Sequence, residues 1–177
     1  MDRPVVIDEV FNLGLDVYTT MFGGLIAPKL CESALSDSLK DFPALVALDS
    51  SFSNDIFIDK NNYLSIAKTE KRAQDVTNAT LSMIIVFTYE SLKSSSHFEK
   101  VKDKEEVKFL RHLRNAAAHG NKFHFYNGTR LADPGIVSWR TKTIDISIQG
   151  QTAFPNFFKH GDLGFLLEDI SSIVKES

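Results

Sequence analysis

The chain has 177 residues, of which 43% are hydrophobic and 24% charged, with 14 Phe. That is enough for one domain with a buried core. A formal net charge of −3 excludes a protein held to nucleic acid by a globally basic surface, so any such role must be local. One cysteine, Cys31, rules out an intramolecular disulfide and points to a reducing cytoplasm.

Met1-Asp2-Arg3-Pro4 leads into a segment broken by Asp8, Glu9 and Asp16, so no secretory leader is expected. The most apolar run, Leu81 to Phe87, falls far short of the ~20 residues that span a bilayer. A cytoplasmic protein with no membrane partner is expected.

A first helix is predicted from Pro4 to Phe22, with Pro at its first turn and Gly23-Gly24 as its stop. Val6, Val10, Leu13, Val17 and Met21 recur at helical spacing and are predicted to face inward. Gly14 lies inside this helix, where a close helix approach would explain it. A second helix is predicted from Pro28 to Leu39. Residues 41–60 read as loop and short pieces. A long helix follows, from Tyr63 or Thr69 to Lys93, with Val76, Ala79, Thr80, Met83, Val86, Phe87 and Glu90 on one stripe.

The next helix, Asp103 to His119, carries the clearest end signals. Asp103 and Glu106 resemble a capping box. Asp103, Glu105 and Glu106 open it and Arg111 and Arg114 lie toward its end, matching the macrodipole. Gly120 is the expected stop. Lys122–Tyr126 and Thr129–Ala132 read as a hairpin about an Asn127-Gly128 turn. Asp133-Pro134-Gly135 is another turn. Ile136–Trp139 and Lys142–Ile148 read as strands, and Trp139 is expected to pack on the terminal helix. That helix starts at Asp162 as N-cap and buries Leu163, Leu166, Leu167, Ile170, Ile173 and Val174.

The sharpest chemical signal is Arg114-Asn115-Ala116-Ala117-Ala118-His119-Gly120. At 100° per residue, Arg111, Arg114, Asn115 and His119 share an arc of about 140°. Phe109, Leu110, Leu113, Ala116 and Ala117 lie opposite. Ala118 keeps the polar surface low. Cleaving RNA without metal needs a base for the 2′-hydroxyl, an acid for the leaving 5′-oxygen, and cations for the charged phosphorane. Histidine serves as acid or base at neutral pH, and arginine holds phosphate oxygens in a fork. Asn115 can fix the imidazole or touch phosphate. The competing reading is a helix end whose Arg and His only satisfy carbonyls and the dipole. Lys122, Phe123, His124 and Tyr126, following directly, favour a ligand, since such groups pair with phosphates and stack on bases. One helix offers a single histidine at the key position; two copies across a twofold axis would supply a pair.

His112 and His119 are about 10.5 Å apart along the helix axis, too far for one ion. No metal site is expected. Cys31 lacks an adjacent base, and no phosphate-cradling glycine loop is present.

The run Arg114-Asn115-Ala116-Ala117-Ala118-His119 resembles the signature of the HEPN superfamily (higher eukaryotes and prokaryotes nucleotide-binding), an Arg followed a few residues later by His. The longer stretch Leu110 to Asn121, Trp139-Arg140-x-Lys142-x-Ile144 and Gly161-Asp162-Leu163 are similar to a plasmid-associated branch. The resemblance implies a mainly α bundle of about four or five helices, here with a small β element before the C-terminal helix. It divides the expected single domain into a helical core (1–121), a strand insertion (122–160) and a terminal helix (161–177). It also implies metal-independent endoribonuclease activity, twofold dimers with a composite site, and a place in defence, toxin–antitoxin or plasmid biology, with an antitoxin or regulator as partner. Carried over, Arg114 and His119 are catalytic with Asn115 in support. Glu90 matches the acidic residue that many members carry on an earlier helix, although Ser94 replaces the basic residue that sometimes follows. Arg111, Lys122 and His124 are expected to bind RNA. Asn121 stands where one branch carries a modified Tyr, so adenylylation there is not expected. No cofactor is implied. Inactive members that only bind a nucleotide, RNA or protein leave a non-catalytic module open, and an accessory protein with a structural role is a third reading.

Overall fold

In the computed structural model, the described residues are 11–14, 16, 17, 19, 20, 65, 69–125 and 135–177, together with the backbone of 44–48, 56–59, 126, 127, 130 and 131. The predicted helix at Pro28–Leu39, Cys31 and the ends of the first helix lie outside them. The protein is mostly helical. It divides into two compact units, Thr19–Thr77 and Met1–Tyr18 with Asn78–Ser177.

In the smaller unit, β1 (Ala44–Leu48) pairs antiparallel with β2 (Ile56–Asp59), with an irregularity between Ala44 and Val46. The sequence reads here as loop and short pieces, because the run carries no clean alternation to mark a half-buried strand.

The larger unit carries most of α1 (Glu70–Lys93), then α2 (Phe98–Val101), α3 (Glu105–Ala118), two short strand pairs and α4 (Asp162–Lys175). β3 (Tyr126–Asn127) pairs with β4 (Arg130–Leu131), and β5 (Val137–Trp139) with β6 (Lys142–Ile144). Asn127 pairs with Arg130, so it closes the ladder instead of opening the turn. The predicted strand to Ile148 stops at Ile144. Asp145 accepts from the Ser147 amide at 2.7 Å and turns Ile146–Ile148 into a 3₁₀ turn, leaving Ile146 47% exposed.

α3 is the central element. Val107, Phe109, Leu110, Leu113 and Ala116 are buried on one face, as the helical period predicts. Phe109 lies 5.3 Å from Trp139, 6.1 Å from Phe157 and 6.3 Å from Phe158 between ring centroids. Trp139 packs on α4 as expected and donates from Nε1 to Asp169 at 2.9 Å. Arg140 grips the same carboxylate through two nitrogens, both at 3.0 Å. Its guanidinium lies 4.6 Å from the Phe165 centroid.

The first helix turns a different face inward from the one expected. Leu13 is 50% exposed and Val17 40%, while Phe11 is buried. A Cβ on Gly14 would sit 3.3 Å from Ile84 and 3.7 Å from Leu167, so the inward face runs through Phe11 and Gly14. In α1 the core face is Leu81, Ile84, Ile85, Thr88, Tyr89 and Leu92, and Met83 is 70% exposed. Both helices are apolar on more than one side, and spacing alone does not choose between them.

The caps differ by a residue. Lys104, not Asp103, is the N-cap of α3, with no side-chain cap bond. Gly161, not Asp162, is the N-cap of α4. Asp162 instead accepts from the Lys159 amide at 2.8 Å and meets Lys142 Nζ at 3.2 Å.

Phe109→Ala should cost about 3–5 kcal/mol, read as a lowered urea midpoint at unchanged slope. The Arg140 hydrogen bonds hold the Asp169 carboxyl below its ordinary 3.8; burial opposes them and the Trp139 bond assists. A depressed folded value stabilises above the unfolded value and is lost as pH falls through the folded one. The advantage of wild type over Asp169→Asn in urea should therefore be full near neutrality and shrink below about pH 4.

Candidate active site at the end of α3

Because α3 buries Leu110, His112, Leu113 and Ala116, Arg111, Arg114 and Asn115 fall at the edges of its buried face. Arg114 and Asn115 are half-buried, and Ala118 and His119 are exposed. Arg114 forms an ion pair with Glu90 of α1 through Nη2. Its Nη1 donates to Asn115 Oδ1 at 3.3 Å, and its guanidinium lies 6.0 Å from the Tyr89 ring centroid. Three neighbours thus fix the plane of one cation.

Glu90, the acidic residue singled out on the earlier helix, therefore meets Arg114. Asn115 orients the guanidinium; among the described residues its side chain makes no hydrogen bond to His119. Tyr89 was not singled out from the sequence, although it stands next to Glu90. Burial holds its hydroxyl above 10.0; Arg111 opposes this, Glu90 adds to it and Arg114 opposes it. The phenol is protonated at neutral pH.

His119 is the C-cap of α3, with φ −117° and ψ 49°, and its amide still bonds to the carbonyls of Asn115 and Ala116. Gly120 follows at φ +73° and Asn121 at +62°. This left-handed step is cheap for glycine and tolerable for asparagine, and it ends the helix so that the imidazole stands at its exposed tip.

The segment beyond is stitched to the chain before α4. Asn121 accepts at Oδ1 from the Phe154 amide at 2.9 Å and donates from Nδ2 to the Phe154 carbonyl at 2.8 Å. Phe123 N donates to Gln151 O at 3.0 Å, and Gly150 N to Phe123 O at 2.8 Å. Gln149 Oε1 takes the Phe125 amide at 2.7 Å. Phe123 and Phe125 are buried with stacked rings, so Lys122 and His124 point outward. The His119 and His124 rings lie 6.5 Å apart, nearly perpendicular.

Of the expected RNA-binding residues, Lys122 and His124 are exposed and Arg111 is half-buried. Lys122 also lines a depression of about 480 Å³ with Gln151, Thr152 and Asn156. His112 is buried against Phe125, at 5.7 Å between rings. Among the described residues, no three His, Cys, Asp or Glu side chains converge as a metal site, and no helix is long and apolar enough to cross a membrane.

The described helices thus carry an Arg–Glu pair between α1 and α3 and a histidine at the tip of α3. The family model described as HEPN pEK499 p136 matches residues 2–163, and the chain belongs to that family. No curated protein and no solved structure matches it.

The Arg114–Glu90 pair is 30% and 41% exposed on its two side chains, and pairs this wet are worth little. Glu90→Gln should leave stability within about 1 kcal/mol of wild type in urea, so a loss of activity in that variant would report on the site.

Proposed function

We propose that this HEPN protein is a metal-independent endoribonuclease working in the cytoplasm. The observation that carries the reading is the fixed Arg114 guanidinium, held by Glu90 and Asn115, on the same helix end as the exposed His119. His119 transfers a proton at neutral pH. Arg114 neutralises the phosphorane, where preorganised charge matters most. Asn115 and Glu90 position that cation. Arg111, Lys122 and His124 draw the RNA in, which suits a local basic patch on an acidic body. The products are a 2′,3′-cyclic phosphate and a 5′-hydroxyl. Such an activity belongs to defence, toxin–antitoxin or plasmid biology, with an antitoxin or regulator holding it in check.

The working form is a homodimer. Met83 and Phe87 are 70% and 46% exposed. With Val86, Ser82, Glu90 and Ala117 they line an apolar depression of about 510 Å³. A second copy covering this face would bury the apolar surface and bring two motifs together at a twofold axis.

In EDTA, Arg114→Ala and His119→Ala should each lower cleavage of labelled RNA by about 100-fold or more with unchanged circular dichroism. Cleavage that survives both changes would overturn the reading. Phe87→Glu should shift the sedimenting species from dimer to monomer; a wild type that sediments as a monomer at micromolar concentration would remove the dimer.

A further inference from the structure

We propose that His124 is a second catalytic histidine, forming with His119 of the same chain the acid–base pair of the cleavage reaction. The assignment rests on the ribonuclease reading above and removes its dependence on a partner's histidine.

Three observations carry it. The two rings lie 6.5 Å apart between centroids at 86°, near enough for one phosphodiester lying against their exposed edges to reach both. Both side chains are exposed, so neither imidazole is sealed from a polyanion. The placement of His124 is also built into the chain. Phe123 and Phe125 are 1% and 2% exposed, and the hydrogen bonds to Gln149, Gln151 and Gly150 lock their register. In an extended segment anchored on both sides, the intervening residue must face the other way. A slip by one residue would put His124 in the core and Phe123 in water.

The chemistry balances on these two rings. The neutral imidazole of one takes the 2′-hydroxyl proton as the O2′–P bond forms. The imidazolium of the other gives its proton to the 5′-oxygen as the P–O5′ bond breaks. Each nitrogen must come within ~2.6–3.2 Å of its oxygen. Arg114 holds the charge on the non-bridging oxygens. One ring ends protonated and the other neutral, the reverse of the start, and exchange with water resets them.

The test uses the full chain in EDTA on an RNA oligonucleotide, and on the same oligonucleotide with sulfur in place of the bridging 5′-oxygen at the bond that wild type cuts. A thiolate leaves without an acid. His124→Ala and His119→Ala should each slow the ordinary substrate by about 100-fold or more. The sulfur substrate should restore one of the two variants, the one lacking the acid, to within about tenfold of wild type, and not the other. A mixture of the two variants, refolded together, should stay inactive, because neither chain carries both rings. His124→Ala within about threefold of wild type, sulfur rescue of both variants or of neither, or recovery of the mixture to about a quarter of wild-type activity would each overturn the assignment. Cleavage that needs Arg114 and His119 but not His124 overturns it alone; wild type that leaves RNA intact overturns it together with the ribonuclease reading.

Discussion

The burial of one face of α3 is the constraint on which everything else rests. Phe109, Leu110 and Leu113 are fully buried, and Phe109 sits amid Trp139, Phe157 and Phe158. A helix so fixed cannot roll about its axis without opening cavities worth several kcal/mol. Its rotation is therefore set by apolar atoms, and its polar residues inherit their direction. Arg114 meets Glu90 because Leu113 and Ala116 have nowhere else to go.

The second constraint lies past the helix. A helix tip alone would leave the chain after His119 free to wander, at an entropic cost for any ordered arrangement there. Asn121 lowers that cost by closing two hydrogen bonds on the Phe154 peptide. The Phe123 and Phe125 side chains then anchor the strand-like run to the same core that fixes α3. Helix tip and following segment thus share one rigid foundation, which is what a site with angstrom tolerances needs.

How much of this the sequence disclosed varies from element to element. α3 was legible because its apolar positions follow one period and end at a glycine; Glu90 was singled out only by resemblance, and its contact with Arg114 depends on how α1 and α3 pack. The inward face of α1 was not. Its Met83–Val86–Phe87 stripe and its Leu81–Ile84–Ile85 face are both apolar, and only packing against Gly14 and the core selects the second. The cap of α4 slipped by one because Asp162, within the first turn, gains much the same dipole energy as an aspartate at the cap. That of α3 slipped because Asp103 stands one residue before Lys104, a residue whose side chain makes no cap bond. The nearness of His124 to His119 depends on hydrogen bonds to residues 149–154, far along the chain, and no local pattern encodes those. The ribonuclease role, the dimer and the partners are proposals that rest on the family resemblance together with the chemistry of the site.

The energetics of the Arg114–Glu90 pair also bear on how such a site would work. Were the pair fully buried, removing its charges from water would cost several kcal/mol, and an incoming phosphate would have to break a strong low-dielectric contact. At 30% and 41% exposure the contact is weak enough for phosphate oxygens to compete for the same nitrogens. Arg114 Nη1 also reaches Asn115, and the Tyr89 face supports the plane, so the guanidinium keeps its orientation while its ionic partner changes. A cation held in place by neutral neighbours and only loosely neutralised is preorganised for a developing negative charge. Under the proposed ribonuclease reading the carboxylate would have a positional role, keeping the arginine aligned in the empty site and yielding to an incoming polyanion.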